Sequence, residues 1–156
     1  MTDKTNVMRI LDREGIHYKS HSYTPTGSIT GAEAARELGI DPDRVFKTLV
    51  CRGSRGDHFV FMIPVLAELD LKKAACAVGE KAVGMVKARE LLPLTGYVHG
   101  GCSPIDMKKQ FTTAIDETAC LYDEIVFSAG KIGVQVELSP DDLGRVIPII
   151  QADLTA

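Results

Sequence analysis

No apolar run in these 156 residues approaches the roughly 18 that a membrane-spanning helix needs. The first residues, Met1-Thr-Asp-Lys-Thr-Asn-Val7, lack the basic start and apolar stretch of a secretory signal. Tryptophan is missing, and no Cys-x-x-Cys pair occurs among the four cysteines, Cys51, Cys76, Cys102 and Cys120. A zinc ribbon or dithiol redox site is therefore disfavoured. No excess of positive charge exists either. Lys and Arg number 18 against 21 Asp and Glu, a net charge of −3, which excludes a broadly basic nucleic-acid binder while leaving room for a local basic patch. Gly-x-Gly-x-x-Gly, Walker and Gly-x-Ser-x-Gly motifs are all missing. His17, His21, His58 and His99 have no metal-ligand spacing. The expectation is a cytoplasmic protein with reduced thiols and no membrane association.

What remains is ordinary globular composition, 45% hydrophobic and 25% charged, in a length that suits one domain over 1–156. The spacing predicts a helix over 5–14 closed by Gly15, then a strand over 16–23. Thr30-Gly-Ala-Glu33 has the form of a capping box opening a helix that Gly39 ends. Asp41-Pro-Asp43 reads as a further helical turn. Strands are predicted over 45–52, 58–64, 83–86, 112–115, 124–127 and 134–138, with 97–99 extended. Asp70 caps a helix to 78, Pro93 stops one over 87–92, and Ser139-Pro140 opens a terminal one. Residues 128–131 read as a tight turn. The pattern implies an α+β fold with a mixed, largely antiparallel sheet.

Lys47 is out of place in Val45-Phe-Lys-Thr-Leu-Val-Cys51. Side chains alternate along a strand, so Lys47 shares one face with Val45, Leu49 and Cys51, opposite Phe46, Thr48 and Val50. Both faces are mostly apolar, as in a strand covered on both sides. Desolvating an ammonium costs several kcal/mol. Either Lys47 snorkels from an edge strand or it sits in a pocket to hold a phosphate or an ester carbonyl.

Gly100-Gly-Cys-Ser-Pro104 and Ser128-Ala-Gly-Lys131 are glycine-bearing loops. Each is an ordinary turn or a close approach to a ligand, where backbone amides could face an oxyanion. Cys102 lies three residues after His99, but such adjacency does not set the geometry of a nucleophile–base pair. Asp141-Asp142 in a first helical turn is explained by the helix dipole. Lys72-Lys73, Lys81, Lys87, Arg89 and Lys108-Lys109 form either a solvated face or a stripe for a phosphate backbone.

Taken together, His21-Ser-Tyr23, Gly31-Ala-Glu33, Leu38-Gly-Ile40, Asp43-Arg-Val-Phe-Lys-Thr-Leu49, Leu69-Asp-Leu-Lys-Lys73, Thr95-Gly-Tyr97, Gly100-Gly-Cys-Ser-Pro104, Lys108-Lys109 and Ser128-Ala-Gly-Lys131 stand in a distinctive order. In these the chain resembles the YbaK/EbsC aminoacyl-tRNA deacylases, most closely the bacterial Cys-tRNA(Pro) deacylases. The resemblance implies a barrel-like mixed sheet flanked by helices. It implies trans-editing of tRNA(Pro) mischarged with cysteine, which a synthetic pocket for proline discriminates poorly. Lys47 would be the essential lysine. Tyr23, Thr48, Gly100, Gly101, Ser128, Ala129 and Gly130 would line the substrate pocket. The substrate's own thiol would attack its ester and cyclise, with no metal or cofactor required. The mischarged tRNA(Pro) acceptor end would be the ligand, and prolyl-tRNA synthetase a partner in a ternary complex. Thr30 stands where relatives often carry an aromatic residue, Gln135 where they often carry aspartate, and Cys102 where they carry an aliphatic one. Preference between cysteine and other small amino acids, alanine above all, is thereby left open. So is a noncatalytic module that binds tRNA or a synthetase.

Overall fold

Helix α1 (Asn6–Arg13) starts where the Thr5 hydroxyl accepts the Met8 amide, and it buries Val7, Met8 and Leu11. Its end explains why residue 16 begins no strand. Gly15 turns left-handed, its amide bonds Asp12, and the Ile16 amide reaches back to the Leu11 carbonyl. This is a Schellman closure, and it spends the Ile16 amide on the helix. β1 therefore runs only over Lys19–Ser22. The computed structural model describes residues 4–23 and 31–156. The Thr30 half of the expected capping box lies outside them. Helix α2 (Gly31–Leu38) closes at Gly39 and Ile40 as α1 does at Gly15 and Ile16. A 3-10 turn over Pro42–Arg44, capped by Asp41, leads into β2 (Phe46–Gly53), which pairs antiparallel with β3 (His58–Pro64).

Asp70 accepts the Lys72 and Lys73 amides at the start of α3 (Leu71–Val78), and left-handed Gly79 ends it. β4 (Val83–Met85) pairs with the end of β2. Helix α4 (Ala88–Thr95) departs from expectation, because Pro93 lies within it and Gly96 ends it. Proline removes one amide from the helix, but this one adds only a single further turn, and the Thr95 hydroxyl donates to Leu91 O at 2.8 Å beside it. Residues 97–99 form no strand; the chain turns at His99–Gly100. β5 (Thr112–Asp116), a 3-10 helix (Glu117–Leu121), β6 (Ile125–Lys131), β7 (Val134–Leu138), α5 (Pro140–Val146) and β8 (Ile150–Ala152) complete the order. The Ser139 hydroxyl caps α5 as its sequence required. The 128–131 stretch is strand with a register shift, and the turn falls one step later, at Ile132–Gly133.

The strands form two sheets, ordered β1-β7-β6 and β4-β2-β3-β5-β8. β3 with β5 and β5 with β8 are parallel; the other pairs are antiparallel. The sheet is mixed, as expected, but it does not close into a barrel. Among the described residues one parallel backbone bridge, Val45 with Val126, links the two sheets. Phe46 and Met62 of the larger sheet join Ile125, Phe127, Val136 and Leu138 of the smaller one in a core roofed by α1 and α5. No helix among the described residues is long and apolar enough to cross a membrane.

Candidate active site

Both faces of β2 are covered. Leu49 and Cys51 pack with Phe61, Ile63 and the alanines of α3, while Val50 packs on the opposite side with Val60, Leu91, Cys102 and Phe111. Lys47 falls on the Leu49–Cys51 side and is partly buried, with no hydrogen bond or ion pair to any described residue. Burial holds its pKa below the ordinary lysine value, against the opposing field of Glu68. β2 lies between β4 and β3, but β4 pairs only with Cys51–Gly53, so beside Lys47 the ladder partner is β3 alone and the edge alternative stays open.

The Val45–Val126 bridge sets what lies next to Lys47. Two residues further along each parallel segment stand Lys47 and Ser128. Side chains two apart share a face, so both belong to the side of the seam on which Val45 and Val126 pack with Ala35 and Ile40 of the α2 region. Across the smaller sheet Ser128 pairs with Gln135, and Gln135 with His21. A row His21–Gln135–Ser128 thus leads to Lys47. Tyr23 continues from β1, its amide donating to Gly133 O at 2.8 Å. Gln135 is buried and its side-chain oxygen has no partner. Register brings Gln135 between Ser128 and His21, and Glu68 comes within the field of the lysine only through folding.

Two glycine loops converge. A Cβ on Gly101 would come within 3.1 Å of the Ile132 amide nitrogen, and one on Gly100 within 3.8 Å of the Ile132 side chain. The 100–101 loop therefore rests on the β6–β7 turn. Gly130, at φ 92°, lies so close to Tyr97 that a Cβ would sit 2.9 Å from the ring. The Tyr97 hydroxyl in turn donates to Ile105 O at 2.5 Å. Tyr97 is thus a positioning residue for the loop.

These loops do not offer all their amides to a ligand. The Gly101 amide donates to Val98 O at 3.0 Å and the Gly130 amide to the Ser128 hydroxyl at 3.1 Å. Neither is a free oxyanion donor. The Ser128 oxygen, already accepting, keeps its own proton to donate. Ala129 sends its methyl into the main core, so only its backbone can face the site. Thr48 points to the opposite face of β2 from Lys47; its hydroxyl is buried and unpartnered. Cys102 is buried, which pushes its thiol up to about 12, against a hydrogen bond with Thr95. With His99 exposed, a Cys102–His99 nucleophile pair is not supported. All four cysteines are free.

The lysine stripe divides. Lys73 is held by Asp153 and Thr155 O on the α3 side of the larger sheet. Arg89 belongs to α4, and Lys108 bonds Pro93 O on the other side.

The profile of the aminoacyl-tRNA editing domain matches residues 26–146, which includes β2, the 100–101 loop and the β6–β7 pair. The chain belongs to this aminoacyl-tRNA editing family. It is an aminoacyl-tRNA deacylase by that membership. EbsC of Enterococcus faecalis, provisionally named a Cys-tRNA(Pro)/Cys-tRNA(Cys) deacylase, is 46% identical over 139 residues, 88% of this chain and 85% of EbsC. YwhH of Bacillus subtilis, an uncharacterized protein, is 29% identical over 121 residues, 77% of this chain and 76% of YwhH. A crystal structure described as a trans-editing enzyme for prolyl-tRNA synthetase superposes with a TM-score of 0.84 at 26% identity, covering 99% of each chain. The editing fold is thus matched throughout.

Proposed function

We propose that this deacylase is a trans-editing enzyme that clears cysteine from mischarged tRNA(Pro), working in the cytoplasm, with prolyl-tRNA synthetase as a partner in a ternary complex. The reading is carried by Lys47: a partly buried ammonium with no hydrogen bond or ion pair to a described residue, two residues beyond the bridge that joins its strand to the one carrying Ser128. EbsC, named for Cys-tRNA(Pro) and Cys-tRNA(Cys), supports the cysteine assignment. Tyr23, Thr48, Gly100, Gly101, Ser128, Ala129 and Gly130 are the substrate contacts of this proposal. Thr48, whose side chain lies on the far face of its strand, acts through its backbone, as do the alanine and the glycines.

The chemistry needs no nucleophile from the protein. The substrate's thiol sulfur attacks its own ester carbonyl, forming a carbon–sulfur bond. The ester carbon–oxygen bond breaks, and the thiol proton passes to the departing ribose oxygen. The products are a cyclic thiolactone and free tRNA. The protonated Lys47 orients the ester and balances the negative charge that develops on its carbonyl oxygen. Ser128 donates its remaining proton nearby. With two glycine-loop amides already engaged, Lys47 carries more of this charge than an amide-lined oxyanion hole would leave to it.

The experiment compares release from tRNA(Pro) charged with cysteine, alanine or serine. Cysteine release at least about tenfold faster than serine is expected, because serine lacks the thiolate-forming group. Equal serine release would replace cyclisation with attack by water. Clearance of Ala-tRNA(Pro) with Cys-tRNA(Pro) untouched would reassign the substrate. No release from any of the three would leave a binding module.

A further inference from the structure

The 97–101 loop and the β6–β7 turn hold each other by two contacts that run in opposite directions. From the loop, the Tyr97 ring covers Gly130. A Cβ there would come within 2.9 Å of Tyr97 Cε1 and within 3.3 Å of Val7 Cγ2 of α1. From the turn, Ile132 covers the glycine pair. A Cβ on Gly101 would meet Ile132 Cγ1 at 3.4 Å and the Lys131 carbonyl carbon at 3.5 Å, and one on Gly100 would meet the same Cγ1 at 3.8 Å. Each segment thus gives one large side chain to the glycines of the other.

The loop is anchored at its ends rather than in its middle. On one side the buried Thr95 hydroxyl accepts the Tyr97 amide at 3.0 Å, and the Tyr97 hydroxyl holds Ile105 O. On the other side Cys102 and Ser103 are buried. Val98, His99 and Gly100 between them are exposed, and the Gly101 amide closes a turn onto Val98 O. Ile132 is the side chain that meets this turn from the smaller sheet.

The hairpin that Ile132 tops does not account for it. Turn positions favour glycine, asparagine, aspartate and serine. Gly133 takes the positive φ of this turn, at 92°, while Ile132 brings a β-branched apolar side chain that stays 41% exposed. Such a residue serves a turn poorly and serves well as a cover for two glycines. The turn is also tied to the site. Ser128 lies four residues back along β6, and Ser128 and Lys47 each stand two residues beyond the Val45–Val126 bridge.

We propose that Ile132 is a positioning residue for deacylation: together with Tyr97 it fixes how far Gly100 and Gly101 stand from Ser128 when the aminoacyl ester lies between them. This rests on the deacylase reading, in which those glycines and that serine meet the substrate. A misplacement of about 1 Å can cost about 100-fold in rate. Loss of one of two fasteners should cost less, about tenfold, and in kcat rather than KM, because the error is felt where charge develops on the ester.

The test compares wild type, Ile132→Ala and Ile132→Val on whichever charged tRNA(Pro) the wild type clears fastest. The alanine variant loses the carbon that touches the glycines, and the valine variant keeps it. Ile132→Ala is expected to lower kcat about tenfold with KM held within about twofold, and Ile132→Val to stay within about twofold of wild type in both. Exchange of the Gly101 amide, followed by NMR, reads the loop without substrate; it should be at least about fivefold faster in Ile132→Ala and unchanged in Ile132→Val. Because Ile132 is partly exposed, Tm should hold within about 3 °C. A larger drop would mark the residue as structural and overturn the proposal. Unchanged kcat in Ile132→Ala overturns it, and so does an equal loss in Ile132→Val. A fall in kcat without faster Gly101 exchange also overturns it, since the loss then does not pass through the loop. A wild type that clears no charged tRNA defeats the deacylase reading, whereas an active wild type matched by Ile132→Ala defeats this inference alone.

Discussion

A cation held partly out of water costs folding free energy, and Lys47 has no paired carboxylate to offset it. Glu68 influences it only through its field. Lys47→Met keeps length and volume while removing the charge. We expect this variant to lose at least about 100-fold in deacylation, while its Tm holds or rises by up to about 3 °C. Activity assay and thermal melt together check this; a large drop in Tm would mark the lysine as structural instead. Lys47 was legible in the sequence because one charge interrupted an apolar alternation. Gln135 stood out only as a departure from the residue its relatives carry; its burial was not legible, since a polar residue on a strand reads as solvent-facing. Only the pairing of β7 between β1 and β6 buries it and brings its oxygen to the row that leads to the lysine.

At the scale of the element, helix starts and stops were plain, because a cap or a left-handed glycine acts within a few residues. Asp41, Asp70 and Ser139 all cap as their positions required, and Thr5, read as the first helical residue, caps α1. Pro93 misled because a proline one turn from a helix end weakens the helix without ending it. The 128–131 stretch misled for a different reason. Its glycine has the φ of a turn residue, yet it serves a register shift within a strand, packed under Tyr97. This predicts a contrast. Gly130→Ala adds a clash to an unfavourable backbone angle and should cost about 2–4 kcal/mol, with activity falling as the loop shifts. Gly100→Ala, at φ 88° with its nearest atom at 3.8 Å, bears only the backbone term and should cost about 1 kcal/mol. Urea unfolding of the two variants checks the difference.

For the whole molecule, the fold class was legible and the arrangement of sheets was not. Strand content and hairpins follow from local pattern, whereas two parallel pairings and a split into two sheets depend on contacts far apart in the chain. β8 escaped notice because its parallel pairing with β5 is set by a contact distant in the chain. One polar network helps to join distant parts. Buried Glu137 of β7 bonds His21 of β1 and Arg44 of the turn before β2, each at 2.7 Å. Burial pushes the Glu137 carboxyl up, but the bonds from His21 and Arg44 outweigh it and leave the pKa below the ordinary value. A carboxylate depressed on folding contributes stability that is complete above its unfolded pKa, near 4.3, and is lost as pH falls through the folded one. Glu137→Gln should therefore cost about 1–3 kcal/mol at pH 7 and flatten the decline in stability below about pH 4.3. Denaturant titrations at pH 7 and in the acid range check this; parallel curves for variant and wild type would assign the acid sensitivity elsewhere.

The Val45–Val126 bridge has a mechanical consequence. Lys47 and Ser128 are supplied by different sheets, so any guest that touches both is a staple that adds to the shared core and the Arg44–Glu137 pair already joining them. Occupancy then tightens a seam that the fold has already closed on its apolar side.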